Sequence, residues 1–225
     1  MLPCNQPDDD VFLILASSVL KRQAYQKYFR LDPSFELLST KNKIIQEEIV
    51  NKHNDLRANV SPPARNMLKM KWNPEAQELA QSRENGENLF MSTIPIEWPK
   101  VIQDWYDEVS NFDYEKGRTN PKGQIEHYSQ IVWYSSFKVI CAMAHCPDVS
   151  FWYYYVYQYC PGGNYRPDYF YEIRASCDKC PDSCSNNLCT HPCLYTNKFA
   201  NCEDLKNQVS CQHEFVKNNY KVTCQ

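Results

Sequence analysis

Basic residues are in no surplus here. Lys and Arg number 24 against 27 Asp and Glu, a formal net charge of −3, and the isoelectric point is near 6.0. Such a surface carries no positive field to draw in nucleic acid or an anionic membrane. Between residues 141 and 165 there is neither lysine nor arginine. The aromatic run "SFWYYYVYQYC" therefore lacks the basic groove that goes with base stacking, and reads as packed sheet. Long apolar runs are missing as well. Residues 11–20, "VFLILASSVL", fall short of the about 20 apolar residues that a membrane helix needs, so membrane insertion is not expected. That run follows Asp8, Asp9 and Asp10, whereas a secretory signal carries basic residues before its apolar stretch. A signal peptide is thus not clearly present: it lies outside this chain, or the start has been altered. There is also no G-x-S-x-G nucleophile motif, no internal repeat and no low-complexity tract.

Cysteine is plentiful and unevenly spread. Of 12 cysteines, one is Cys4, three are Cys141, Cys146 and Cys160, and eight fall between Cys177 and Cys224. That density marks an oxidising compartment. The last fifty or so residues are too poor in aliphatics to hold together by burial, so cross-links must constrain their unfolded state. A zinc reading of Cys177-x-x-Cys180 with His191 and His213 lacks the second close ligand pair of a structural site. The chain divides into an N-terminal segment (1–36), a core domain (37–168), a hinge (169–190) and a cysteine-rich module (191–225).

Within the core domain, Ile45, Ile49, His53, Leu56 and Val60 recur at helical spacing, with Asn42 as cap. His53 on that stripe reads as a packed, hydrogen-bonded core residue. Asn73-Pro74 signals a second helix running to Arg83. A third follows "STIPIEWP", with Trp98, Val101, Ile102, Trp105 and Val109 on one face and Glu108 at its edge. "FKVICAMAHC" and "SFWYYYVYQYC" read as neighbouring strands, and "PGGNYRPD" as a closing turn. The one sequon, Asn59-Val60-Ser61, is an acceptor for glycosylation.

Four motifs in order, "GENLF" (86–90), "WYDE" (105–108), "EHYSQIVWYSS" (126–136) and "YYVYQYCPGGN" (154–164), resemble the CAP superfamily. With the C-x-x-C-x-x-x-C opening of the tail and "EEIVNKHNDLRANVSPPARNMLKMKW" (47–72), the chain resembles the cysteine-rich secretory proteins of mammalian epididymis, testis and salivary gland. The resemblance spans residues 31–224. It implies an α+β fold: an α-β-α sandwich, then a short hinge and a small disulfide-rich, mostly helical module similar to sea-anemone potassium-channel toxins. It also implies a cavity with two histidines and two glutamates able to hold a divalent ion such as zinc. Motif by motif, Glu87, Glu108 and His127 are three of the four. The fourth, a histidine between "MKW" and "GENL", has no counterpart, because only "NPEAQELAQSREN" separates Trp72 from Gly86. Two carboxylates and one imidazole suit zinc poorly, so no obligatory cofactor is expected beyond weak divalent-cation binding.

The same resemblance implies three sandwich disulfides, and Cys141, Cys146 and Cys160 all lack their partners: Tyr157 and Asn85 replace two, and the third falls in the missing block. In the tail it implies Cys177–Cys184, Cys180–Cys189 and Cys211–Cys224, leaving Cys193 and Cys202 over. Three functions follow as expectations. One is a secreted, non-enzymatic, monomeric binding protein that regulates an ion channel or engages a cell-surface protein in reproduction or secretory fluids, with Lys198, Phe199, Tyr220 and Lys221 as candidate contacts. Another is a metal-assisted hydrolase using the residual cavity. The last is a degenerate or exon-skipped member with impaired folding, since lost bridges and free thiols favour misassembly.

Overall fold

The computed structural model describes residues 37–74, 86–145, 150–165 and 169–190. The chain falls into two units, Met1–Thr190 and His191–Gln225, and every described residue belongs to the first. The expected helix after Asn73, the bridge Cys211–Cys224, and Cys4, Cys146, Cys193, Cys202, Lys198, Phe199, Tyr220 and Lys221 all lie outside, or run outside, the described residues.

Helix α1 spans Lys43–Ala58. Its start is set by Asn42, whose side chain accepts from the Ile44 backbone N–H at 2.9 Å, satisfying a donor that the first turn leaves orphaned. It ends just ahead of Pro62 and Pro63, which cannot continue it. The face that it buries comprises Ile49, His53, Asn54, Arg57 and Ala58, so most of that face is polar.

Four strands, β1 (Lys71–Trp72), β2 (Gly86–Ser92), β5 (Lys138–His145) and β6 (Tyr153–Cys160), form a sheet in the order β1-β5-β6-β2. β1 runs parallel to β5, and the other pairs are antiparallel. The central strands β5 and β6 are buried over nearly their whole length. A strand covered on both faces shows no alternation of apolar and polar residues, which is why "YYYVYQY" reads as one aromatic run.

Helix α2, Trp98–Tyr106, buries Trp98, Val101, Ile102 and Trp105, with Pro99 in its first turn. A 3-10 turn, Asp107–Asn111, continues it. Strands β3 (Phe112–Asp113) and β4 (Gly117–Arg118) form a short ribbon, and helix α3 covers Glu126–Ile131. The aromatic core is knit edge-to-face: Trp98 on Tyr155 and Tyr157, Trp105 on Tyr157, and Phe90 on Trp105 and Tyr155. Tyr155, Tyr157 and Tyr159 therefore share the sheet face that α1 and α2 cover, while Tyr154, Val156 and Gln158 point the other way.

The segment 169–190 packs on the same unit. β7 (Cys184–Ser185) and β8 (Leu188–Cys189) make a two-stranded ribbon, and disulfides join Cys177 to Cys184 and Cys180 to Cys189. Cys189 exchanges backbone hydrogen bonds with the chain before β1, its N–H donating to the Met67 carbonyl and its own carbonyl accepting from Lys69, both at 2.8 Å. Arg65 pairs with Glu172 and Asp178, each at 3.4 Å. None of the described helices is long and apolar enough to cross a membrane.

Candidate functional site

His127 sits in the first turn of α3, a helix whose own N-cap residue, Ile125, offers no side-chain cap. Glu108 fills that role from the 3-10 turn after α2. One carboxylate oxygen accepts from His127 Nδ1 at 2.7 Å, and the other from the backbone N–H groups of His127 and Tyr128 at 3.1 and 3.2 Å. The two side chains are only 25% and 13% exposed, His127 and Glu108 respectively, and charge-assisted bonds of this kind are the stronger ones. The imidazole also stacks on Trp105, with centroids 5.4 Å apart. With Nδ1 engaged by Glu108, Nε2 is the ring nitrogen left over.

Asn88 and Glu87 are neighbours on β2 and so face opposite sides of the sheet. Asn88, 1% exposed, donates to the His127 carbonyl at 3.2 Å. Phe90, two residues on, touches Trp105. Glu87 is turned away from both and accepts from Gln158 at 2.5 Å, its cross-strand partner. The structure thus brings Glu108 and His127 together and separates Glu87 from them. Among the described residues, the cluster of potential metal-ligating groups lying within 4.8 Å of one another is Cys177, Cys180 and Cys189. All three sulfurs are engaged in disulfides and none is a thiolate ligand.

His53 is fully buried, its Nδ1 2.8 Å from the Ile49 carbonyl and its Nε2 2.9 Å from the Tyr159 hydroxyl. It is a core histidine, as its place on the α1 stripe implies. Burial, opposed only in part by the Ile49 hydrogen bond, lowers its pKa from 6.5 to about 4, so the ring is neutral at ordinary pH. Asn59 is exposed at the end of α1, its amide donating to the Asp55 carbonyl at 2.8 Å. Cys141 is a buried thiol, and burial raises its pKa well above the ordinary value. It stands opposite Tyr157 in the β5–β6 register. Cys160 ends β6, half-buried.

Sequence reasoning missed Arg57. Its guanidinium is 1% exposed and donates to the carbonyls of Leu68, Ile131, Trp133, Tyr134 and Ser136 at 2.7 to 3.3 Å. That clamp fixes the segment that leads out of α3. The signal was present, since Arg57 lies four residues after His53 on the same helix face. Two close approaches lock the same region. A Cβ on Gly86 would lie 1.9 Å from Gln130 Oε1, and one on Gly163 2.6 Å from the Trp133 ring. Gln130 Oε1 in turn accepts from the Gly163 N–H at 2.8 Å.

This arrangement of helices on a mixed four-stranded sheet, with a disulfide-bridged hinge after it, defines the class to which the chain is similar. The signature described as "Cysteine-rich secretory protein family" matches residues 83–160, and the one described as "Crisp" matches residues 177–225. Na-ASP-1 superposes with a TM-score of 0.52 at 25% identity, covering 64% of this chain; this chain spans about half of that one (46%). The hookworm platelet inhibitor has the same fold, with a TM-score of 0.50 at 22% identity, covering 74% of this chain and 96% of its own. Human cysteine-rich secretory protein 3 is 44% identical over 214 residues, 86% of this chain and 87% of its own length. Cysteine-rich venom protein VAR11 of Varanus varius is 45% identical over 213 residues, 84% and 86% of the two chains. The chain belongs to the cysteine-rich secretory protein family.

The zinc that the family resemblance implies does not fit the donor set. The hydrogen bond of His127 Nδ1 to Glu108 is one that a metal-ligating histidine can also make, but Glu87 faces the other side of the sheet and the second histidine of the family pattern has no counterpart. One imidazole nitrogen is left where a zinc centre takes three or four protein ligands.

Proposed function

We propose that this protein is a secreted, monomeric binding protein without catalytic turnover, whose C-terminal cysteine-rich segment engages an ion channel or another cell-surface protein. The observation that supports this reading is the state of Glu108. Its acceptor sites serve His127 and two backbone N–H groups, so the carboxylate is not poised as a base toward a substrate or a water. Cys141, a buried thiol with a raised pKa, is a poor nucleophile. Membership of a family with secretory and venom relatives supports an extracellular binding role. Weak divalent-cation binding and glycan attachment at the exposed Asn59 are compatible with it.

The test applies the purified full-length protein to cells under voltage clamp, with potassium and calcium currents recorded and surface binding measured in parallel. Block or a gating shift, weakened tenfold or more by Lys198→Ala/Phe199→Ala or Tyr220→Ala/Lys221→Ala, is expected. The absence of both a current change and surface binding overturns the reading, as does turnover of ester or peptide substrates that His127→Ala abolishes. Disulfide mapping of secreted material separates it from the impaired-folding reading. A secreted monomer bridged at 177–184, 180–189 and 211–224 supports a working protein, and complete retention inside the cell refutes it.

A further inference from the structure

We infer that Glu108 and His127 form a metal-free capping joint that locks α3 onto α2 and the sheet, in the place where the fold family implies a zinc centre. The N-terminal backbone donors of a helix need acceptors, and α3 has none from its own cap residue. Glu108, carried on a different element, supplies two of them, His127 N and Tyr128 N, and holds the imidazole with its other oxygen. The ring is then clamped flat on Trp105 of α2. From the sheet, the buried Asn88 holds the His127 carbonyl. From the chain after β6, Asn164 holds the Glu126 carbonyl at 2.9 Å and accepts from the Ser129 hydroxyl at 2.6 Å.

The Nδ1–Glu108 bond by itself would also suit a metal-ligating histidine; what the site lacks is ligands, since Glu108 is committed to two backbone N–H groups as well and a single imidazole nitrogen is left over. A zinc ion that drew Glu108 out of this position would leave the His127 and Tyr128 N–H groups without their acceptor, and one imidazole nitrogen falls short of the three or four protein ligands of a zinc centre. The carboxylate retained from the motif "WYDE" has thus kept its position and serves as the acceptor that organises the neighbouring helix.

The experiment uses the intact chain. Backbone amide exchange by NMR or mass spectrometry is expected to show the His127 and Tyr128 amides protected in the wild type. In Glu108→Ala they exchange tenfold or more faster, while amides of β5 and β6 stay protected. In Glu108→Gln, which keeps the shape and loses one acceptor to an NH2 group, the acceleration is smaller but falls on the same two amides. Thermal unfolding is then followed with millimolar zinc and with a chelator. No zinc-dependent rise, or a rise that persists unchanged in His127→Ala and so comes from cysteine thiols, supports the joint. A zinc-dependent rise that vanishes in both His127→Ala and Glu108→Ala overturns it. So does unchanged protection of the two amides in Glu108→Ala. If Glu108→Ala does not fold, the Glu108→Gln exchange pattern decides alone.

Discussion

Arg57 shows how much one side chain can organise. A buried guanidinium has no charged partner among its hydrogen-bonding contacts, and burial lowers its pKa to about 9. Five carbonyls take its donors instead, a match to a planar fork that an ammonium on a flexible stem cannot reproduce. Arg57→Ala is expected to lower the unfolding free energy by about 3–5 kcal/mol, and Arg57→Lys to keep most of that loss, because buried carbonyls are left without donors; urea unfolding of each variant measures this. His53 makes a prediction in pH. Its folded pKa of about 4 lies below the unfolded 6.5, so below pH 6.5 the unfolded chain binds a proton that the folded chain refuses. Stability therefore falls as pH drops from about 6.5 to about 4, by about 3 kcal/mol at about 1.4 kcal/mol per unit. Urea unfolding of wild type and His53→Gln across that range should show the difference between them shrinking with acidification. A constant difference would refute the assignment.

Where relatives are expected to join β5 and β6 by a disulfide, this chain has a thiol facing a phenol. Cys141 and Tyr157 are directly opposed, and Tyr157 is wholly buried against Trp98, Trp105 and His53. Its hydroxyl has no hydrogen-bond partner among the described residues, so the ring stabilises by packing. Tyr157→Cys would restore the pair. Closing the short loop contributes about 3 kcal/mol, while emptying so large a side chain from the core costs about 3–5 kcal/mol. The bridge is expected to form on oxidation, seen as a mass loss of two hydrogens, yet leave the protein no more stable than wild type. Under reducing conditions the variant should be weaker by the full packing cost. An oxidised variant well above wild type in urea would show that the aromatic replacement is a poor substitute.

The hinge belongs to the same compact unit as the sheet, tied to it by the reciprocal backbone bonds of Cys189, by the Ala64–Ile173 and Leu68–Cys189 bridges and by Arg65 with Glu172 and Asp178. Replacing Cys180 and Cys189 together by Ser should therefore destabilise the whole of that unit, by about 2–3 kcal/mol for so short a loop. A single unfolding transition shifted to lower urea is the expected outcome. A separate early transition, with the main one unmoved, would mean that the hinge unfolds by itself.

Local pattern carried much of the architecture. The 3.6-residue stripes of α1 and α2, the cap at Asn42 and the paired β-rich runs of β5 and β6 are properties of short segments, because periodicity and capping act within one or two turns. His53 was legible as a core residue for the same reason. Other facts depend on what meets what across the fold. Whether Glu87 joins Glu108 depends on the phase of β2 in the sheet, since one residue of register moves a side chain from one face to the other. Arg57 and Glu108 do their work on backbone groups 11 to 79 and 19 to 20 residues away, and backbone carbonyls and N–H groups look alike in every sequence. The motifs named the residues that the family resemblance assigns to a cavity, and long-range hydrogen bonding brings two of them together between helices while the third faces elsewhere.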